Sequence, residues 1–503
     1  MAKKKKKTSP SSRHFVWYAL TIVVSVVFGW VYDPPAQFTK KELLRSLNGA
    51  ASAVAPRGDL NFALGFNANV DVVVSAIALL RECGIEEASE SVDHETLRSA
   101  SDLSGVFRHF LATGSAGERG FHLADPSAAD AFAKIERCVR NIPGQTRVGG
   151  NAAIMAVALF EKFGANVLIG GQVGDLLDRL LPSSIKFVAA ASGATVLGNT
   201  KVNVQSDEPH IILEYGVGAK WGGESADRAN RFIVSRDDSN SALASAEPFF
   251  AVVKRGKGYD AVVLAGIHML DGRKKPFQHS RLSFIKKSID KIKSSTALHL
   301  ELASIGEEDL VKQIAWYMLP SVDSLGLNEM ELSSLYTAVG GKDISPEKLA
   351  LSNPEPSDVY EAIAFIFGAY EAESRVLSRI HFHCLGFHVI ATRELDASSK
   401  RAPRIWPNSA IAVASGSVAA TLKGCDADIS DLHGNDLDVK RLSFKFRGAL
   451  QDVDQALPVA VHEMKSSAGT ITFSSAPVVV CRRPKSTVGL GDLISATGLA
   501  HQL

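Results

Sequence analysis

The sequence predicts an α/β fold in which a mainly parallel sheet is covered by helices on both faces. Three observations carry this. Short apolar runs rich in β-branched residues alternate with longer amphipathic stretches, the pattern that buried parallel strands and their crossover helices require. The 503 residues are 46% apolar, enough to bury a large core, and five cysteines in so long a chain are no disulfide framework. Beyond residue 60, glycine, serine and proline nowhere concentrate into an unstructured linker.

The N-terminus stands apart. Lysine fills positions 3–7, and residues 15–32 carry no charge, with Thr21, Ser25 and Gly29 the only non-apolar members. Eighteen residues at 1.5 Å rise reach about 27 Å, just under a hydrocarbon core of about 30 Å. Residues 1–35 therefore read as a basic n-region followed by a signal peptide or signal anchor. Everything after Pro35 is then expected in the secretory pathway, in the lumen of the endoplasmic reticulum, either membrane-anchored or secreted. Cleavage stays open. Fifty-five basic and 54 acidic residues give a net charge of +1, and without the five lysines the remaining 50 against 54 give −4. A nucleic-acid partner is excluded, because phosphate tracking needs a basic excess that this body lacks.

Residues 33–60 form a connector with one short helix around 40–47. Buried strands are expected at 60–66, 70–74, 165–169, 261–264, 296–302, 324–327, 379–390 and 410–413, and helices at 152–162, 282–293, 307–317 and 359–377. Between 186 and 235 the rhythm changes. Runs at 186–190, 195–197, 202–204 and 211–215 are closely spaced and joined by Gly, Asn and Asp turns, which predicts antiparallel hairpins. A small β-rich lid is placed there, joined by chain from 70–125. Residues 84–130 and 394–410 are polar and weakly periodic, and are expected to be surface loops or insertions.

The most informative string is Ser486-Thr487-Val488-Gly489-Leu490-Gly491-Asp492, between an apolar run at 478–481 and a helical run at 493–500. Unsatisfied N–H groups at a helix N-terminus attract anions, and two glycines let the backbone approach a phosphate. Asp492 among these donors suits a general base facing a hydroxyl nucleophile, although an Asp capping the helix would look the same in sequence. Further strings are Gly65-Phe66-Asn67-Ala68-Asn69-Val70-Asp71, Arg147-Val148-Gly149-Gly150-Asn151-Ala152-Ala153, His299-Leu300-Glu301, Asn328-Glu329-Met330-Glu331 and Arg379-Ile380-His381-Phe382-His383. Asn69 and Asp71 share a face of an extended chain at the end of the first strand, as do His299 and Glu301. Asn328 and Glu331 share a helical face. Asn151 is a favoured helix cap, and the two glycines before it let a ligand approach the backbone.

The first of these strings, at the end of a long α/β chain, resembles the phosphoryl-transfer motif of the ribokinase-like sugar kinases. All six together are similar to the ADP-dependent glucokinases over residues 45–503, and the N-terminal apolar run is similar to their animal branch. The resemblance implies a ribokinase-like three-layer α/β/α sandwich with a smaller β-rich lid. It implies the reaction of D-glucose with ADP to give glucose 6-phosphate and AMP, with Asp492 as catalytic base and metal neighbour. Gly489, Leu490, Gly491 and Arg231 would hold the phosphate, and Arg231 has Arg228 and Arg236 as close competitors. Asn69, Asp71, Gly149, Gly150 and Asn151 would bind the sugar, and Glu301 and Glu331 would position one or more Mg²⁺ ions, partly through water. Arg379, His381 and His383 read as structural. The expected partners are glucose, ADP and, if the leader is kept, a membrane; a monomer is expected, and the sequence leaves oligomeric state open. A relative phosphorylating fructose 6-phosphate is the alternative, but it would need basic residues beside Asn69 and Asp71. A membrane-tethered binder without catalysis is the other. A bond between Cys425 and Cys481 fits an oxidising lumen, with Cys83, Cys138 and Cys384 as buried thiols.

Overall fold

The computed structural model describes residues 39–503 apart from 95, 115–116, 122–124, 191–205, 228, 257, 371–374, 396–401, 447–448, 453–457, 468 and 486–487. The leader at 1–35, the runs at 195–197 and 202–204, and Arg228 lie outside the described residues. No helix among the described residues is long and apolar enough to cross a membrane.

The chain opens with α1 (Lys40–Ser52), where Thr39 and Glu42 satisfy each other's backbone donors in a capping box. β1 (Asn61–Phe66) and, after two residues, β2 (Asn69–Ser75) follow. Next come α2 (Ala76–Glu82), β3 (Thr96–Leu97), α3 (Ala100–Thr113), β4 (Gly117–Phe121), α4 (Pro126–Val139) and β5 (Gly144–Gly149). α5 (Asn151–Phe163), β6 (Asn166–Gly170), α6 (Asp175–Leu180) and β7 (Lys186–Val188) lead to β8 (Pro209–Tyr215), β9 (Lys220–Trp221), β10 (Glu224–Ser225) and β11 (Asn230–Ser235). The second half alternates strictly at first: α7 (Ala246–Arg255), β12 (Ala261–Ala265), α8 (Lys275–Ile289), β13 (Ala297–Glu301), α9 (Glu308–Met318) and β14 (Ser324–Asn328). α10 (Glu329–Ala338), α11 (Pro346–Leu349), α12 (Pro356–Gly368), β15 (Arg379–His383), β16 (Phe387–Glu394) and α13 (Ser409–Cys425) come next. The chain closes with β17 (Leu437–Val439), β18 (Ser443–Phe446), β19 (Ala449–Asp452), β20 (Ala460–Ser466), β21 (Gly469–Pro477), β22 (Val479–Cys481) and α14 (Leu490–Ala500).

Ten strands form the large sheet, in the order β20-β21-β16-β15-β14-β13-β12-β1-β6-β7. From β7 to β15 every pair is parallel, and β16, β21 and β20 add an antiparallel edge. Both faces are covered. Phe62, Leu64, Val263 and Ala265 pack with residues of α5 and α14, while Ala63, Val262, Leu264, Leu298 and Leu300 pack with residues of α7 to α10 and α12. That is why these strands are apolar throughout. β1 continues to β6 on one side and β12 on the other, so the winding direction switches there, and ligands of such sheets bind beyond the carboxyl ends at that point.

A second sheet of six strands, β3-β4-β11-β8-β2-β5, makes the smaller body. It draws on 69–149 as much as on 209–235. Lys186–Val188 pairs instead with β6 at the edge of the large sheet. The stretch 84–130, read as loops, carries α3 and β4: the polar residues that blur its period face solvent, while Leu103, Val106, Phe107 and Phe110 build the small body's core. Residues 410–413 are helical. The run from Ser409 is rich in Ala, Ser, Gly and Val, and α13 is so thoroughly buried that no polar stripe marks its period. The expected single strand at 379–390 is a hairpin, broken between His383 and Phe387. Cys425 and Cys481 are bonded, with Cα atoms 5.5 Å apart, and Cys83, Cys138 and Cys384 are buried free thiols.

Candidate functional site

Asn69 and Asp71 open the second strand rather than ending the first. β1 stays in the large sheet and β2 starts the small one, so residues 67 and 68 cross between the two. Register then determines which side chains look the same way. Asp71 lies opposite Arg147 on β5 and His210 on β8, His210 opposite Ser235, Glu214 opposite Arg231 on β11, and Ile233 opposite Glu118 on β4. Opposed residues share a sheet face, so Asn69, Asp71, Arg147, His210, Arg231 and Glu118 stand together. The other face is apolar, with Val74, Ile211, Leu213, Tyr215, Phe232 and Val234 packed on α2, α3 and α4.

Within the polar face Asn69 Nδ2 donates to Asp71 Oδ1 at 2.8 Å, both side chains buried. Burial raises the pKa of Asp71, against the opposing pull of His210, Asn69, Arg231 and Arg147. The Oδ1 atoms of Asn67 and Asn69 are buried acceptors with no partner among the described residues, so donors from a ligand would satisfy them. The space that a side chain at Gly149 or Gly150 would need is taken by these side chains and by the Asn67 main chain. A Cβ on Gly149 would overlap Asp71 Oδ1 and lie 2.5 Å from Asn69 Nδ2, and Gly150 holds φ +82° against Asn67 O.

Asn151 is not the helix cap. Gly150 occupies that position without a side-chain bond, and the main-chain N–H groups of Ala152 and Ala153 donate to Asn67 O. Freed from capping, Asn151 donates through Nδ2 to Asp492 Oδ1 at 2.8 Å. Asp492 itself sits in the first turn of α14, behind Gly489 in the left-handed region at φ +69°. A side chain on Gly489 would also press into Ile154, and one on Gly491 would meet the His383 ring at 2.8 Å. Burial, helped by the charges of Glu301 and Asp71 and opposed by the Asn151 bond, pushes the Asp492 pKa up to about 7.

The strand ends beside this turn supply two more carboxylates. Glu301 is buried at the end of β13; Ser495 Oγ donates to its Oε1 at 2.9 Å and His299 Nε2 lies 2.8 Å from its Oε2. Gly326 on the neighbouring strand leaves the space that the Glu301 carboxylate occupies. Glu331 closes a capping box on α10, accepting from Asn328 N at 2.8 Å and Asn328 Nδ2 at 2.9 Å. Burial pushes both glutamates up to about 8, and Glu331 also feels Glu301 and Asp492. Among the described residues these three carboxylates do not converge closely enough to ligate one ion directly; only Glu118, His210 and Asp237 bring three ligand atoms within 4.8 Å. Arg379 lies behind them, bonded to Ser324 and Gln502 and stacked on Trp406, a supporting role for a fully buried cation. Arg231 stands on the small sheet, where its charge reaches Asp71.

The sequence reading missed Glu118, His210 and Asp237. His210 Nε2 lies 2.9 Å from both Asp237 oxygens, and its Nδ1 is 3.6 Å from Glu118. Burial works against charge on His210, yet Asp237, Glu118 and Asp71 outweigh it and push its pKa to about 10. No local string marks these residues. Strand register brings Glu118 and His210 to the face of Asp71, and the turn after β11 adds Asp237.

The profile of a family described as the ADP-specific phosphofructokinase/glucokinase conserved region matches residues 60–501. An ADP-dependent glucokinase of Bos taurus is 36% identical over 456 residues, covering 87% of this chain and 84% of that one. An ADP-dependent glucose/glucosamine kinase of Pyrococcus furiosus is 27% identical, covering 86% and 92%. A solved phosphofructokinase from Pyrococcus horikoshii OT3 with AMP superposes with a TM-score of 0.61 at 18% identity, covering 89% of this chain and 98% of that one, which is a likeness of fold.

Proposed function

This chain belongs to the ADP-specific phosphofructokinase/glucokinase family, and from that premise we propose that it transfers the terminal phosphoryl group of ADP to the 6-hydroxyl of D-glucose, giving glucose 6-phosphate and AMP. The observation that carries this is the Asn151–Asp492 hydrogen bond, which ties the polar face of the small sheet to a carboxylate lying among helix N-terminal amides. On one side of that bond Asn69, Asp71, His210 and Glu118 offer donors and acceptors to sugar hydroxyls. On the other, the amides of the Gly489 turn stabilise charge on the transferred group. Asp492 takes the hydroxyl proton, and Asn151 aims its carboxylate.

Mg²⁺ fits the acidic edge. Glu301, Glu331 and Asp492 form an all-oxygen set in which the Glu301 charge raises the pKa of the other two and Asp492 adds to that of Glu331, an arrangement that a hydrated cation relieves. Glu301 and Glu331 would hold the ion through water, since their oxygens are engaged by Ser495, His299 and Asn328. Bound there, it would neutralise the oxygens of the diphosphate.

The alternative substrate, fructose 6-phosphate, calls for cations beside Asp71. Arg147 and Arg231 do stand there, contrary to the expectation from sequence. Glu118 on the same face adds a carboxylate that a second phosphate would have to face, which favours the neutral sugar. In a coupled assay the expected result is glucose 6-phosphate formed with ADP and not with ATP. Faster turnover of fructose 6-phosphate, or no product with either donor, would overturn the reading.

The lysines at 3–7 and the uncharged run at 15–32 support a location in the endoplasmic reticulum lumen, and the Cys425–Cys481 bond suits an oxidising compartment. In sealed microsomes a C-terminal tag is expected to resist protease. Its full digestion would place the body in the cytosol.

A further inference from the structure

His210 is held from behind by a residue that the proposed chemistry does not use. Asp237 lies in the turn through which the chain leaves β11 for the large sheet, and its side chain is only 7% exposed. Both its oxygens sit 2.9 Å from His210 Nε2. The turn is braced in its own right: Asn240 Nδ2 donates to Ala68 O at 3.1 Å and lies 3.4 Å from Asp237 Oδ1, Asn240 N donates to Glu208 at 2.9 Å, and Ser241 Oγ donates to Asp237 O. Asp237 is thereby anchored to the crossing at residue 68, where β1 gives way to β2. His210 Nδ1 is left 3.6 Å from Glu118, too far for a hydrogen bond, on the face that carries Asp71.

We infer that Asp237 is a positioning residue for the sugar: it holds the His210 ring by Nε2 as a charged donor, with Nδ1–H presented to a substrate hydroxyl between Asp71 and Glu118. The inference rests on the sugar-kinase reading for its substrate, but not for the state of His210. A neutral imidazole in that place could present a bare nitrogen, whereas an imidazolium must donate from both.

The groups around His210 act in the same direction. Asp237 from the turn, Glu118 from β4 and Asp71 from β2 each favour its charged form, and together they exceed the cost of burial. Arg147 and Arg231 direct their charge to Asp71. His268, in the 3-10 turn after β12, is half-buried and driven down to about 4 by desolvation, so it stays neutral at working pH and leaves the Asp237 charge to His210. Glu208, before β8, is pushed up to about 7 by burial and then by Asp237, while accepting from Ser239 and Asn240. Removing the Asp237 charge leaves burial as the largest influence on His210, and its pKa falls.

The test uses the full-length protein with Asp237→Asn and, as control, Asp238→Asn at an exposed neighbouring position. The wild type is expected to show a glucose KM that is flat from pH 6 to pH 8.5. In Asp237→Asn, KM for glucose should rise less than about 2-fold at pH 6, where a His returned to near its ordinary pKa is still about three-quarters charged, and about 100-fold at pH 8.5, where it is roughly 1% charged. KM for ADP and the melting temperature should stay at wild-type values, and Asp238→Asn should match the wild type throughout. A variant with the wild-type profile, or one whose losses are equal at every pH and extend to ADP, overturns the inference. Imidazole ¹⁵N shifts of His210 in the wild type at pH 8 give a second reading that needs no variant and no substrate: a neutral ring overturns the inference even if glucose is phosphorylated. Absence of glucose phosphorylation with a charged ring would instead overturn the assigned substrate.

Discussion

Asp492→Asn is expected to leave a folded protein that still binds glucose and ADP but turns over about 10³-fold more slowly, the usual scale for loss of a positioned general base. The substitution is a mild one structurally. The new side-chain amide would keep an oxygen for the Asn151 Nδ2 bond, and Gly489 would still end the turn in its left-handed conformation. Only the proton acceptor is lost. Turnover near the wild-type value would dispose of the base assignment, and loss of nucleotide binding would recast Asp492 as a phosphate or metal ligand. The same carboxylate governs the acid limb of the pH profile. It works deprotonated and its pKa is raised to about 7, so turnover should fall as pH drops through neutrality. The Asn151 bond favours the charged form, so Asn151→Ala should move that limb to higher pH.

Gly149→Ala carries the second large effect. β5 runs antiparallel to β2, with Gly149 opposite Asn69, and the Asp71 carboxylate lies in the space a Cβ would take. Ladder hydrogen bonds fix the two backbones, so the side chains must move. A displacement near 1 Å of substrate-positioning groups costs about 100-fold, expected here as a raised KM for glucose with little change in KM for ADP. A variant with wild-type glucose kinetics would show that the Asn69–Asp71 pair does not bind the sugar.

Much of the large sheet was legible because its strands are buried on both faces and its helices have one apolar stripe, two patterns that local periodicity reports directly. The Gly489–Asp492 turn was legible for a related reason: a helix N-terminus preceded by glycines is an anion site whatever surrounds it. Where the periodicity is lost, so was the reading. Helix α13 is buried nearly all round by small residues, so its first residues read as a strand, while α3 and β4 have polar outer faces that read as loops.

The site divides along the same line. By itself the sequence determined that Asp492 follows a glycine turn, that Asn69 and Asp71 share one side of an extended segment, and that His299 and Glu301 share another. Each of those statements concerns residues close in the chain, where backbone geometry decides. Only the tertiary structure decided that β2 leaves the large sheet after β1, that Asn151 turns from capping to Asp492 across 341 residues, that Ser495 reaches Glu301 across 194, and that Glu118, His210 and Asp237 gather at Asp71. Contacts of that kind depend on strand register and on where the chain crosses between sheets, and neither leaves a repeating mark on the residues themselves.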